Sequence, residues 1–161
     1  MEGTVFKYGD NIDTDVIIPA RYCTSYHQDE LAPHCLEDLD PTFARRVKPG
    51  DVVVAGRNFG CGSSRENAPL AILGAGVGAV VAQSFARIFY RNSINVGLPI
   101  LECPDAVKTA QDGDRLSIDL AKGEIVNLTR GGTFQATPFP DRIRQIIEAG
   151  GLEEYVKRRL K

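Results

Sequence analysis

The densest chemistry in this sequence lies in the run Gly56-Arg-Asn-Phe-Gly-Cys-Gly-Ser-Ser-Arg-Glu-Asn-Ala-Pro69. Two adjacent hydroxyls (Ser63, Ser64), a guanidinium (Arg65) and a thiol (Cys61) share it with Gly60 and Gly62, which let the backbone turn sharply and approach a ligand closely. Ser63 stands three residues before Glu66, the capping-box pattern, so the spacing predicts a helix start here with Arg65 in its first turn. A helix start offers unpaired N–H groups and partial positive charge, which suit an anion. A guanidinium at that end is electrostatically out of place unless it grips a carboxylate or phosphate at two points. The same field would stabilise an ionised serine hydroxyl, otherwise too poor a base for proton chemistry. The bland alternative is a capped helix with Arg65 in a surface ion pair. No Lys follows the second glycine as in a Walker loop, and the spacing is not that of a dinucleotide fingerprint.

The elements that must position this run are short. Segments rich in β-branched residues and bounded by Gly, Pro, Asp or Asn predict strands at Thr4–Lys7, Val16–Ile18, Val52–Ala55, Gly78–Gln83, Leu98–Glu102, Leu116–Leu120, Ile125–Leu128 and Thr133–Ala136. Helical patterns fall at Asp29–His34, Pro41–Val47, Arg65–Leu73, Ser84–Asn92, Pro140–Ala149 and Leu152–Leu160. Asp51-Val-Val-Val-Ala and Gly78-Ala-Val-Val-Ala are unbroken apolar runs, as expected of strands covered on both faces. Leu116–Leu120 and Glu124–Leu128 instead alternate around Ala121-Lys-Gly, the pattern of a hairpin with one wet face. The mixture predicts an α/β domain with an antiparallel part. At the C-terminus, Pro140 suits a first helical turn, Ile143, Ile146, Ile147 and Leu152 form a candidate buried stripe, and Gly150-Gly151 ends the first helix.

Composition narrows the function classes. The chain has 161 residues, 43% hydrophobic and 25% charged, enough for one cored domain over 1–161 and too apolar for disorder. A net charge of −2, no Trp and 7% aromatics argue against a nucleic-acid surface. No apolar run reaches membrane-spanning length, and acidic residues enter MEGTVFKYGDNIDTD too early for a signal peptide, so a cytoplasmic chain is expected. Cys23, Cys35, Cys61 and Cys103 form no CxxC and have no histidine in register, which predicts free thiols and no metal site in this chain. The two histidines, His27 and His34, fall in a polar stretch that suggests surface or loop roles.

Gly56–Pro69, with Lys7-Tyr-Gly-Asp-Asn-Ile-Asp-Thr-Asp-Val-Ile-Ile-Pro-Ala-Arg-Tyr22 and Ser84-Phe-Ala-Arg-Ile-Phe-Tyr-Arg-Asn-Ser-Ile-Asn-Val-Gly-Leu-Pro99, resembles the swivelling small domain of the aconitase superfamily, in its isopropylmalate dehydratase branch. The similarity runs from Gly3 to about Tyr155. It implies a three-layer β/β/α swivelling domain and a hydro-lyase that isomerises 2-isopropylmalate and 3-isopropylmalate through a dehydrated intermediate, in leucine biosynthesis. It also implies a large partner subunit carrying a 4Fe-4S cluster, with none bound by this chain. Residue by residue, the resemblance makes Ser63 the base, Ser64 and Arg65 the carboxylate-binding and alkoxide-stabilising groups, and Asp15 an active-site acid. Gly62 falls within the same substrate-binding motif. Asp13 reads as structural, and Arg87 and Arg91 stay outside the catalytic set.

Two departures matter. The family usually has His where this chain has Asn67, which hydrogen-bonds but cannot change charge near neutrality. The loop that faces the variable substituent of the substrate reads Cys23-Thr-Ser-Tyr-His-Gln-Asp29, and Cys23 and Thr24 are small and uncharged, which favours a short alkyl group over a further carboxylate. The alternatives are a related dehydratase acting on dimethylmalate, citramalate or homoaconitate, and a non-catalytic anion-binding module.

Overall fold

A computed structural model describes residues 1–161 and places seven strands in one mixed sheet. Strands β1 (Glu2–Lys7), β2 (Val52–Ala55), β3 (Ala79–Ala82) and β4 (Ile100–Glu102) run parallel. Strands β5 (Arg115–Asp119), β6 (Glu124–Asn127) and β7 (Thr133–Gln135) form an antiparallel meander. The order is β4-β3-β2-β1-β5-β6-β7, so β1 stands at the centre, its Val5 beside Val52 and its Gly3 beside Leu116. The eight helices are α1 (Thr14–Ile17), α2 (Gln28–Leu31), α3 (Phe43–Arg46), α4 (Asn67–Gly74), α5 (Arg87–Val96), α6 (Pro104–Thr109), α7 (Asp141–Ala149) and α8 (Leu152–Arg159).

Alternate residues of the parallel strands feed two separate cores, because successive side chains of a strand point to opposite faces. Phe6, Val53, Ala55, Val80, Ala82 and Ile100 pack with Ile17, Leu31, Phe43, Ile72, Phe89 and Ile147 under the main helices. Val5, Val52, Val54, Ala79, Val81 and Leu101 pack on the other side with Ala106 and Val107 of α6 and with Leu116, Ile118 and Ile125 of the meander. The antiparallel part therefore curls over the second face, which gives the helix, sheet and sheet layers expected. Fully burying one such Val, Leu or Ile side chain contributes about 1.5–3 kcal/mol, and all four residues of both β2 and β3 are buried. That is why these two runs carry no polar alternation.

Several local expectations give way to tertiary contacts. Val16–Ile18 is not a strand: Thr14–Ile17 form α1, because the Asp13 carboxylate accepts from the Val16 N–H at 3.0 Å and starts a helical turn. The helix expected from Ser84 begins only at Arg87, since Ser84–Ala86 run alongside Phe59, with the Phe59 N–H bonded to the Ser84 carbonyl and the Ala86 N–H to the Phe59 carbonyl. Helix α6, with proline in its first turn, has no counterpart among the helices that the sequence pattern predicts. At the C-terminus, Gly150 ends α7 in the left-handed region at φ 94°, as expected, with Pro140 at the N-cap rather than inside the first turn. Ile146 and Ile147 are buried, but Leu152 is exposed at the start of α8.

The start of β5 is tied to the end of β6 by one buried carboxylate. Asp114 accepts from the Gln111 N–H (2.9 Å), the Asn127 amide (3.2 Å) and Arg130 Nε (2.8 Å). Burial opposes its charge, but these three donors outweigh burial and hold the carboxyl below the usual carboxylate range. A depressed folded pKa means stability that is complete above about pH 4, the unfolded value, and is lost as pH falls through the folded value. Asp114→Asn should therefore be clearly less stable than the parent at pH 7. The gap should narrow as urea midpoints are taken from pH 5 towards pH 2.

Candidate active site

The loop between β2 and α4 is fixed from beneath before it reaches its serines. Phe59 is fully buried, its ring edge-on to Phe89 (5.3 Å) and Phe85 (6.0 Å). Gly60 follows at φ 82°, and a Cβ there would stand 2.1 Å from Phe89 Cγ, so only glycine lets the loop lie on α5. The loop then runs along the segment leading from β1: the Gly60 N–H donates to the Ile12 carbonyl (2.7 Å) and the Thr14 N–H to the Cys61 carbonyl (2.9 Å). The Thr14 hydroxyl donates to the Ser63 carbonyl at 2.9 Å.

These bonds decide where the next helix starts. Paired in this way with residues 12–14, residues 61–65 stay non-helical and α4 begins at Asn67, its N-cap Glu66 making no side-chain capping bond. The capping box read from Ser63 and Glu66 does not form, and Arg65 is not in a first helical turn. The Ser63 and Ser64 hydroxyls are exposed and make no hydrogen bond within the chain. The helix start that faces them belongs to α5 instead.

The two serines open on a cavity of about 280 Å³ lined by Thr14, Gly60, Gly62, Arg65, Asn92 and the start of α5 from Ala86 to Phe89. The N–H groups of Arg87, Ile88 and Phe89 have no acceptor in the chain and supply the positive helix end expected of an anion site. Arg65 reaches across the mouth, its Nη1 2.7 Å from Asp15 Oδ1 and 3.9 Å from Cys23 Sγ. Partial burial works against the guanidinium charge, but the bond to Asp15 outweighs it and raises the pKa, so Arg65 is a fixed cation. A larger depression of about 750 Å³ lies between α4, α5 and α8, but its one cation, Lys157, is already paired with Glu153 and Glu154.

Gly62, Ser63, Ser64 and Arg65 thus converge on one cavity, with Asp15 and Cys23 joined to it through Arg65. Thr24 is exposed and lies outside the lining. Asp13 is the N-cap of α1, as its structural reading required. Sequence reasoning left out Arg87, Ile88, Asn92 and Thr14. The tract Ala86-Arg-Ile held the signal for the first two, once a helix is started at Arg87 rather than Ser84. Arg91 is exposed and does not line the cavity, and neither histidine approaches it: His27 is exposed in a loop, and His34 stacks on Tyr22 at 3.7 Å beside Glu37.

No three His, Cys, Asp or Glu side chains converge as a metal-binding group. Cys35 and Cys103 are buried, and burial together with the neighbouring Asp13 charge pushes the Cys61 thiol up, away from the thiolate a cluster requires. No helix is long and apolar enough to cross a membrane.

A hydroxyl pair and a clamped guanidinium on a glycine loop, set against a curled mixed sheet, define a class. Residues 10–106 match the Aconitase C-terminal domain family. The 3-isopropylmalate dehydratase small subunit of Moorella thermoacetica is 59% identical over 161 residues, covering 100% of this chain and 97% of that protein. The protein of the same name from Caldicellulosiruptor saccharolyticus is 60% identical over 160 residues, covering 99% and 92%. A crystal structure of 3-isopropylmalate dehydratase from Methanocaldococcus jannaschii superposes with a TM-score of 0.92 at 48% identity, covering 98% of this chain and 93% of that one. The chain belongs to the 3-isopropylmalate dehydratase small-subunit family, within the aconitase C-terminal domain class.

Two glycines give a contrast that tests the site's foundation. Gly60→Ala should cost more than about 2 kcal/mol, because a left-handed backbone and a clash with Phe89 combine. Gly113→Ala, at φ 89° with nothing within 4 Å, should cost about 1 kcal/mol. Urea midpoints of the two variants measure the difference.

Proposed function

We propose that this chain, acting as one unit over residues 1–161, is the small subunit of the hydro-lyase that interconverts 2-isopropylmalate and 3-isopropylmalate in leucine biosynthesis. The full-length likeness to proteins of that name supports the reading. The observation that carries it is the cavity where Ser63, Ser64 and an Asp15-clamped Arg65 meet the unpaired N–H groups of α5. The reaction removes a proton from a carbon beside a carboxylate, expels hydroxide from its neighbour, and adds water back in the opposite sense.

In this reading Arg65 and the Ser64 hydroxyl hold the substrate carboxylate next to the carbon that loses its proton. Ser63 Oγ takes that proton, its alkoxide stabilised by Arg65 and by the N–H groups of α5, and returns it during rehydration. Asp15 keeps the guanidinium in one orientation, and Gly62 lets the backbone come close to the carboxylate. Cys23, in contact with Arg65 Nη1, and its neighbour Thr24 are assigned to the alkyl group from outside the cavity lining.

The cavity is open on one side, and a large partner subunit completes it. By its likeness to the aconitase class, that partner carries a 4Fe-4S cluster, which supplies Lewis acidity for the leaving hydroxyl. The thiols of this chain do not fit that group, so the isolated chain should take up no stoichiometric iron or sulfide after anaerobic reconstitution.

In the two-subunit complex, Ser63→Ala should lower kcat by about 10²–10⁴-fold with little change in KM, because a base acts only in the chemical step. Arg65→Lys should raise KM by about tenfold and lower kcat as well, since a compact ammonium cannot reproduce a planar two-point grip on a carboxylate. Near-parental kinetics in both would reduce the motif to a structural turn.

An uncharged loop should discriminate modestly among short alkylmalates, by about 0.8 kcal/mol per methylene, and strongly against a further carboxylate. Cys23→Arg should therefore weaken 3-isopropylmalate turnover and improve homoaconitate turnover, read as kcat/KM for both. A parent complex that already prefers homoaconitate would refute the substrate assignment.

A further inference from the structure

We infer that Asn67 is a positioning residue that holds the substrate loop against the catalytic loop. Its side-chain amide is a latch whose removal loosens substrate binding without touching the proton-transfer step. The inference rests on the functional reading above and adds to it the device that fixes where Cys23 and Thr24 stand.

Asn67 is the first residue of α4 and only 3% exposed. Its Nδ2 donates to the Ser25 carbonyl at 2.5 Å. Only the amide nitrogen can face a carbonyl oxygen, so the chemistry itself fixes which way the side chain points. From Thr24 to His27 this is the sole hydrogen bond that reaches a distant part of the chain. The others are local: the His27 N–H donates to Ser25 Oγ, and the His27 carbonyl accepts from Glu30 and Leu31 at the start of α2.

The neighbouring segments are anchored by other means. Upstream, Tyr22 stacks on His34 and Arg21 pairs with Glu37 and Asp38. Downstream, α2 packs on α4. Between those anchors, Cys23 Sγ makes local contacts with the Ile18 and Pro19 carbonyls, and the contacts that tie the loop to the Ser63 run are the Asn67 bond and the 3.9 Å contact of Cys23 Sγ with Arg65. Both contacts come from residues that follow Ser63 within one turn of chain, so the loop facing the alkyl group is referenced directly to the residues facing the carboxylate. Asn67 itself lines neither the cavity nor its mouth, and it acts through the Ser25 backbone.

Two substitutions separate the donor from the shape. In Asn67→Asp an oxygen faces the Ser25 carbonyl, and the bond becomes a repulsion. In Asn67→His the ring Nδ1 occupies the same bonded position as the amide nitrogen and can carry a proton to donate. In complex with the large subunit, Asn67→Asp should raise KM for 3-isopropylmalate about tenfold with kcat within about twofold, and Asn67→His should keep KM within about threefold of the parent.

Hydrogen exchange in the full chain alone gives a readout independent of turnover. The Glu30 and Leu31 amides, which donate to the His27 carbonyl at the loop's exit, should exchange at least about tenfold faster in Asn67→Asp than in the parent or in Asn67→His, while β2 and β3 keep their protection. Unchanged exchange at Glu30 and Leu31 together with an unchanged KM overturns the inference. So does a loss confined to kcat, which would place the defect at Ser63. An Asn67→Asp chain that loses protection throughout β2 and β3 also overturns it, because Asn67 would then support the fold rather than the loop. A parent complex inactive on isopropylmalate sinks the functional reading instead, and leaves the exchange result to decide the latch.

Discussion

The hydroxyl of Thr14, bonded to the Ser63 carbonyl, is the contact on which the site turns. It closes a short ladder in which the chain leaving β1 runs beside the loop leaving β2, from the Gly60 N–H on the Ile12 carbonyl to the Thr14 N–H on the Cys61 carbonyl. Held in the ladder, residues 61–65 stay outside α4 and their hydroxyls remain unused. The ladder also places Asp15, one residue beyond Thr14, within 2.7 Å of Arg65. The ladder therefore sets the backbone state of the loop, the exposure of its hydroxyls and the orientation of its cation.

Charge is divided between two sources. Arg65 spends part of its field on Asp15, which fixes its place, and the start of α5 supplies partial positive charge from backbone groups that cannot move away. A mobile lysine in either place would have to be reorganised during each turnover. Phe59 and Phe89 keep the two sources in register, because the loop and the helix touch ring to ring beneath the cavity.

Fold class was legible because the strongest signals were global ones. Unbroken apolar runs at Asp51–Ala55 and Gly78–Ala82 demanded cover on both faces, and alternation in Leu116–Leu120 demanded a hairpin, which β5 and β6 form in register from Leu116 with Asn127 to Asp119 with Glu124. The serine–arginine run was legible by type and by resemblance. What failed was local. Val16–Ile18 has strand-forming residues, yet the Asp13 cap sets a helix there, and Ser63 with Glu66 has the letters of a capping box, yet the pairing of residues 60–63 with residues 12–14 holds Ser63 outside the helix. Asn67 stood out in the sequence only as a departure from a pattern. Its bond to Ser25 spans 42 residues, and no periodicity in the sequence encodes such a contact.

The central position of β1 has a practical side. The Met1 ammonium already donates to the Ile118 carbonyl at 2.8 Å, and the Met1 carbonyl accepts from the Ile118 N–H at 2.7 Å, a separation of 117 residues along the chain. An affinity tag or fusion joined before Met1 would have to continue from a residue already paired with β5 through Ile118. One joined after Lys161 would continue from an exposed helix end that touches neither sheet nor cavity. In folding, the same geometry makes β1 wait for residues 115–119 before its second edge is covered, and an open strand edge invites pairing with other chains. Expression yield in this family should therefore respond to how quickly β5 becomes available.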